Sequence, residues 1–279
     1  MKKPSVLIAG CGYYGLFLAR RLSSEGSRVW GLRRDPQARD LIRQAGAEPV
    51  IADLTDPVTL RGLPPADWVV SCQGAGRGAD YRKTYLEGAK NLLAALHRRP
   101  PHKWIWISSI RVYSQDRGEW IDEQTPPDPK TEEARALWEA ESVVLSAPFF
   151  SLVIRPAGIY GPGRDRTKIL RDGAAWAAGG YLNNIHIEDL VELTLFLAEK
   201  GKDKEIYLAA DGHPVFRKEF YSWLAGEAGI PAPPGRPEQG ESAGKRCSNR
   251  KVTGLGFSFR YPDPKAGFAA VLKGRSRGS

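Results

Sequence analysis

Gly10, Gly12 and Gly15 stand in the spacing G-x-G-x-x-G, filled here as Gly10-Cys11-Gly12-Tyr13-Tyr14-Gly15. The apolar run Ser5–Ala9 precedes them, and Tyr13–Ser24, with apolar residues on a helical period, comes directly after. A strand, a glycine turn and a helix in that order are the setting in which this spacing carries chemistry. Gly10 would permit a tight turn, Gly12 would let the backbone approach a pyrophosphate, and Gly15 would let helix pack closely on strand. The first N–H groups of the helix, at Tyr13 and Tyr14, would meet the phosphates with the positive end of the helix dipole behind them. A merely structural glycine turn is the alternative.

A dinucleotide site of this kind places an Asp or Glu at the end of its second strand when it holds a free ribose 2′-hydroxyl. The chain has Leu32-Arg33-Arg34 there. Two guanidinium groups suit a 2′-phosphate, which arginine binds through planar, charge-assisted hydrogen bonds. Asp35 comes next, but it is better placed to cap the next helix. The expected cofactor is therefore NADP in preference to NAD, with a solvated basic loop as the other reading of Arg33 and Arg34. Asp53 and Leu54, after the third strand, are expected near the adenine.

These residues need a scaffold that alternates strands and helices, and the sequence supplies one. Short apolar runs at Ser5–Ala9, Arg28–Leu32, Pro49–Ala52, Trp68–Ser71, Lys103–Ser108 and Phe150–Arg155 read as buried strands. Between them lie helical patterns, among them Arg82–His97 and Thr131–Leu145. Asp35-Pro36 and Asp56-Pro57 each give an N-cap followed by a proline at the first helical position, and Gly46 closes the helix begun at Asp35. Alternation of this kind predicts an α/β fold: a Rossmann-type, doubly wound parallel sheet with helices on both faces. The expected organisation is a dinucleotide-binding domain over residues 1–165, its sheet completed within 186–210, and a small C-terminal substrate lobe formed mainly by 166–279. In that second half a helix is expected over Ile187–Lys200, a strand over Glu205–Leu208, a helix over Phe216–Ala228 and a loop over Pro231–Gly244. The lobe would lie over the carboxyl ends of the strands.

Composition narrows the partners. The 279 residues are 42% hydrophobic and 26% charged, ordinary for a water-soluble domain, and no apolar run reaches the length that spans a bilayer. Lys2-Lys3 before Val6–Cys11 imitates a short secretory leader, but Pro4 and Ser5 interrupt it and the apolar run is too short. Three cysteines without metal-ligand spacing suit a reducing compartment, so the expected location is the cytoplasm and no metal site is expected. The net charge of +9 is scattered among acidic residues. The basic tail Lys273–Arg277 reads as a solvated, frayed terminus, so neither nucleic acid nor membrane is expected as a partner. A small-molecule substrate is expected, and a homodimer is compatible with the sequence.

Several later segments together resemble the extended short-chain dehydrogenase/reductase family, which includes nucleotide-sugar epimerases and dehydratases. Ile107-Ser108-Ser109-Ile110-Arg111-Val112-Tyr113 resembles its Ser-Ser-x-x-Val-Tyr stretch, and Asp122-Glu123-Gln124-Thr125-Pro126 its acidic-then-proline segment. Ile154–Gly163 is similar to the loop after the sixth strand, and Asn184–Leu190 to Asn-x-Ile-His-x-x-Asp-Leu. Ser248-Asn249-Arg250 and Tyr261-Pro262 further resemble a bacterial branch described only as NAD(P)-binding or epimerase-like. The resemblance implies that Ser109 hydrogen-bonds the reacting oxygen and that Pro156, Ala157 and Gly158 touch the nicotinamide end. It implies structural roles for His186, Tyr113 and Tyr160.

One feature of the family is missing. Its oxidoreductases carry Tyr-x-x-x-Lys on the helix before the sixth strand, where the lysine charge lowers the tyrosine pKa for proton exchange. The matching positions hold Glu133 and Leu137, and no tyrosine or lysine occurs in Thr131–Leu145. The remaining Tyr-x-x-x-Lys, Tyr261–Lys265, contains prolines that preclude a helix. The expectation is an atypical NAD(P)-binding member acting on a small-molecule or nucleotide-sugar-like substrate. Ser109 would orient the substrate oxygen and Glu133, or else Asp122 or Glu123, would move the proton. A non-catalytic NADP-binding regulator or scaffold is the rival reading, and Glu133 as a mere partner of the helix dipole is its counterpart at the residue level.

Overall fold

Short apolar runs become the strands of one sheet, most of them with side chains buried on both faces as parallel sheets require, the edge strand Glu48–Ile51 being the exception. They are β1 (Val6–Ala9), β2 (Val29–Arg33), β3 (Glu48–Ile51), β4 (Trp68–Ser71), β5 (Lys103–Ile107), β6 (Ser151–Pro156) and β7 (Ile206–Ala209). The computed structural model describes residues 3–76, 78–172, 179–231 and 243–276. The seven strands form one parallel sheet in the order β7-β6-β5-β4-β1-β2-β3, with Ile8 of β1 opposite Gly31 on one side and Val70 on the other. The winding reverses between β1 and β4. In open sheets of this kind, ligands enter beyond the carboxyl ends of the strands at such a reversal.

The chain divides into two compact units. The first comprises Met1–Tyr113, Pro127–Arg155 and Thr194–Tyr207, and the second Ser114–Pro126, Pro156–Leu193 and Leu208–Ser279. In the first unit, helices α1 (Tyr13–Ser24), α2 (Arg39–Gln44), α3 (Gly88–Leu96) and α4 (Glu132–Leu145) pack on the sheet. Trp104 and Trp106 of β5 are fully buried in its core, and Trp104 Nε1 donates to Ser71 Oγ at 2.7 Å. Glu141 of α4 reaches Arg155 of β6 with an N–O distance of 2.6 Å, both side chains being 2% exposed. Ser108 Oγ donates to the same carboxylate and Arg155 also donates to the Tyr113 hydroxyl, so the buried charges are paired and hydrogen-bonded.

The second unit is built from short pieces. Gly158–Tyr160 pairs in parallel with Asn184–His186, Tyr181–Leu182 antiparallel with Val215–Phe216, and Arg117–Ile121 in parallel with Gly244–Cys247. Its core gathers Tyr160, Leu170, Phe220, Leu224 and Phe268. The Tyr160 and Phe268 rings stack 3.9 Å apart. Gly267 makes that possible, since a Cβ there would lie 1.9 Å from the Tyr160 hydroxyl.

Four expectations need correction. Arg82–His97 is not a uniform α-helix: Arg82–Glu87 is a π-helical turn before α3, which a helical period does not distinguish. Asp56 does accept the Val58 N–H at 3.0 Å, but the segment it starts holds only a 3-10 turn, Thr59–Gly62. Gly244 opens a strand instead of closing a loop, and the rest of the Pro231–Gly244 expectation lies almost wholly outside the described residues. The basic tail is helical through Ser276, because Pro264 begins a helix whose Phe268 and Val271 are buried. Tyr261 lies ahead of that helix and so does not share a helical face with Lys265.

Candidate functional site

The glycine turn joins β1 to α1, and each of its glycines answers a different steric demand. Gly10 has φ +91°, and a Cβ on it would stand 2.5 Å from the backbone of Gln73. A Cβ on Gly15 would come within 3.0 Å of the Ile8 side chain and 3.3 Å of the Gly10 carbonyl. Gly12 differs: with φ −91°, a Cβ there would meet only the Gly10 carbonyl oxygen, at 3.8 Å. Packing does not demand glycine at position 12, whereas a ligand approaching the backbone would.

Gly12 is the N-cap of α1, no side chain caps the helix, and its first turn holds no acidic residue. The start of the helix dipole is therefore left for an anion. The side chains of Tyr13 and Tyr14 serve the scaffold: the Tyr13 ring lies 5.3 Å from Phe17, and the buried Tyr14 hydroxyl donates to Thr194 Oγ1 at 2.7 Å. Beside the turn, both ends of the Gln73 amide are buried without a hydrogen-bond partner among the described residues. A buried amide in that condition calls for a partner from outside the chain.

Arg33 ends β2 half-buried and Arg34 is exposed just after it; neither is ion-paired among the described residues. Burial pushes the Cys11 thiol up to about 12 while the Arg33 charge pulls it down, so that guanidinium is felt inside the glycine turn. Asp35 Oδ1 accepts the Gln37 N–H at 2.9 Å and caps the turn Pro36–Ala38. Beyond β3, Asp53 Oδ1 accepts from both the N–H and the hydroxyl of Thr55 at 2.9 Å. Leu54 is buried, and its carbonyl accepts from Asn91 Nδ2 at 3.0 Å. A dinucleotide fits these surroundings, with a bare helix start for pyrophosphate, guanidinium groups without an ion pair among the described residues for a further phosphate, and an orphaned amide beside the glycine turn.

Farther along the sheet edge, Ser109 lies just past β5 in extended conformation, and its Oγ accepts the Arg111 N–H at 3.2 Å. Arg111 Nη1 donates to Glu133 Oε2 at 2.8 Å. Glu133 sits in the first turn of α4 behind the N-cap Thr131, whose Oγ1 accepts from the Ala134 N–H at 3.1 Å. Its carboxylate is 18% exposed and thus belongs to an ion pair as well as to a helix start. Leu137, at the position of the family's lysine, is buried in the core and holds no charge.

The sequence pattern did not reveal Tyr85. It lies in the π-helical turn, and its oxygen accepts the Ala75 N–H at 3.2 Å beyond the end of β4. Burial pushes the phenol up, and the opposed charges of Glu133 and Arg111 both act on it. Tyr81 and Tyr85, four residues apart with rings stacked at 6.4 Å, were the available signal.

The remaining candidates lie in the second unit. Pro156 ends β6, the Ala157 N–H donates to the Ala209 carbonyl at 2.9 Å, and the Gly158 N–H to the Asn183 carbonyl at 3.0 Å. A Cβ on Gly158 would stand 2.5 Å from the Arg166 guanidinium and 3.1 Å from the Asn183 carbonyl oxygen. Asp122 closes a turn by accepting from the Gln124 and Thr125 N–H groups, and Glu123 Oε1 accepts the Leu208 N–H at 2.7 Å. Both carboxylates are committed to local structure. His186 is buried, its Nδ1 accepts the Glu188 N–H at 3.2 Å, and burial lowers it to about 4. A neutral imidazole that caps a helix matches the structural role the resemblance implied.

Comparison with known proteins agrees with this geometry. Protein YeeZ of Escherichia coli K12 is 31% identical over 95% of this chain and 98% of its own length. The structure of a Methylobacillus flagellatus protein provisionally described as an NAD-dependent epimerase/dehydratase superposes with a TM-score of 0.83 at 33% identity, covering 99% of this chain and all of that one. At 17% identity, which speaks for the fold alone, Bordetella bronchiseptica WbmG in complex with NAD and UDP gives a TM-score of 0.84 over 99% of this chain and 96% of its own. Residues 6–210 match the NAD dependent epimerase/dehydratase family, and the chain belongs to that family.

Proposed function

We propose that the chain binds NADP in preference to NAD and catalyses hydride exchange with a small-molecule substrate of nucleotide-sugar-like class. The observation that carries the cofactor choice is the pair Arg33 and Arg34 at the end of β2, free of ion pairs among the described residues, with the neighbouring Asp35 committed to the Gln37 N–H. In this reading the α1 start and Gly12 hold the pyrophosphate and the two arginines hold the 2′-phosphate. Asp53 and Leu54 border the adenine. The cofactor, when bound, supplies or accepts the hydride.

The chain's own residues position the substrate and move the proton. Ser109 has its oxygen occupied by the Arg111 N–H, which leaves its hydroxyl proton to hydrogen-bond a substrate oxygen. Glu133, at the position of the family's tyrosine, is a carboxylate ion-paired to Arg111, whose backbone N–H holds Ser109, so the pair fixes the surroundings in which the proton moves. The substrate class rests on family membership. Fluorescence titration with NADPH and NADH, followed by turnover assays on aldehydes, ketones and nucleotide sugars, tests the reading. Tighter NADPH binding with turnover is expected. Equal affinities would reduce the arginines to a solvated loop, and binding without turnover across the series would favour a regulatory NADP-binding protein.

A further inference from the structure

We propose that Tyr85 is the proton donor to the substrate carbonyl in the reductive direction, standing in for the absent Tyr-x-x-x-Lys pair. This rests on the cofactor-dependent chemistry proposed above. The first observation is how hydroxyl protons are used. The Tyr85 oxygen accepts the Ala75 N–H, and no group among the described residues accepts the Tyr85 proton. Ser109 is in the same condition, its oxygen taken by the Arg111 N–H and its proton unused. Both hydroxyls are oriented by a backbone donor and keep a proton to give, and a carbonyl oxygen has two lone pairs to receive them.

The second observation is location. Ala75 lies beyond β4 and Ser109 beyond β5, adjacent parallel strands with Ser71 opposite Trp106, so both hydroxyls are anchored at the same edge of the sheet. Arg111 links Ser109 to Glu133 through its backbone and its side chain. The charged groups acting on the phenol are Glu133 of α4 and Arg111 of the turn Ile110–Val112, with Tyr81 as the neighbouring phenol. The third observation is backbone: Tyr85 lies within a π-helical turn, a rare irregularity that is frequent at functional sites.

The step balances without any group beyond the cofactor already proposed. A hydride from NADPH adds to the carbonyl carbon, the C=O π pair moves onto oxygen, and that oxygen takes the Tyr85 proton. The product is the alcohol with NADP⁺, and solvent reprotonates the tyrosinate. Burial favours the protonated phenol, the form a donor needs. Glu133 and Arg111 act as positioning residues, and in the oxidative direction the carbinol proton returns to Tyr85 by the same path.

A donor to the carbonyl oxygen and a hydride source for the adjacent carbon must lie close together, so the phenol must sense the charge on the nicotinamide ring. The test labels the tyrosine ring carbon that bears the hydroxyl with ¹³C and identifies the Tyr85 resonance by its absence in Tyr85→Phe. It is titrated between pH 7 and 10.5 with saturating NADPH and then with saturating NADP⁺, which carry the same phosphates but differ in ring charge. The expected result is an ionisation midpoint about one pH unit lower with NADP⁺. Identical behaviour with both cofactors, including no ionisation with either, overturns the proposal while leaving the cofactor reading intact. Failure of either cofactor to bind overturns both. For any ketone the wild type reduces, Tyr85→Phe should lower kcat by about 10²–10⁴ with NADPH affinity unchanged, and an unchanged kcat would overturn the proposal on its own.

Discussion

Replacing Arg33 and Arg34 by alanine together perturbs the cofactor reading at its most selective point. Arg33 is half-buried at the end of β2, where a charge-assisted hydrogen bond to phosphate contributes about 1.5–3 kcal/mol. Arg34 is exposed, and solvent screening brings its share down to about 0.5–1 kcal/mol. The double variant should therefore lose about 2–4 kcal/mol of NADPH binding, a weakening of roughly 30- to 900-fold. NADH has no 2′-phosphate, so its affinity should hardly change. Because neither side chain makes an ion pair among the described residues, removing them should also leave the fold intact. The assay is fluorescence titration of both cofactors against wild type and double variant at fixed ionic strength, repeated near 0.1 M and 1 M salt. The NADPH preference should shrink at high salt, where the Debye length falls from about 10 to about 3 Å. Equal wild-type affinities for the two cofactors, or an equal loss of both in the double variant, would refute the reasoning.

Two further outcomes concern stability. Glu141→Ala leaves Arg155 charged and buried without its carboxylate, and thermal or urea unfolding should show a loss of about 3–5 kcal/mol. Burial raises Asp211 to about 8, above the ordinary aspartate value near 4, so the native state holds a proton there that the unfolded chain has released. Stability from this group is present at low pH and is lost as pH rises towards about 8. His186, lowered to about 4, has the opposite slope, with stability lost as pH falls below about 6.5, so above that value it does not oppose the Asp211 effect. Urea unfolding between pH 6.5 and 8 should show a decline of about 1–2 kcal/mol that Asp211→Asn abolishes. A flat wild-type profile would contradict the burial argument.

The sheet was legible because its signals are local. Gly10–Gly15 between an apolar run and a helical period, and Asp35 before Pro36, each state a turn or cap within a few residues, and the structure forms them where expected. Elements that depend on distant partners were not legible. Arg117–Ile121 is a strand only because Gly244–Cys247 lies beside it, more than a hundred residues away, and neither stretch is apolar enough to be read alone. At the candidate site the pattern repeats. Ser109 and Glu133 were found by position in family motifs, but the ion pair that ties Glu133 to Arg111 joins residues 22 apart and leaves no periodic trace. Tyr85 was hidden because a π-helical turn has the composition of an α-helix, and its hydroxyl acquires meaning only from the Ala75 N–H it accepts.

Gly12→Ala tests the central claim, that the glycine turn is shaped for a dinucleotide, most directly. A methyl group at position 12 would meet only the Gly10 carbonyl oxygen, at 3.8 Å. Packing within the chain therefore makes no demand for glycine there, whereas a pyrophosphate against the start of α1 does. Measured side by side, cofactor-free thermal unfolding of the variant should match the wild type, while NADPH binding should fall below detection. Unchanged NADPH affinity in Gly12→Ala would contradict the claim.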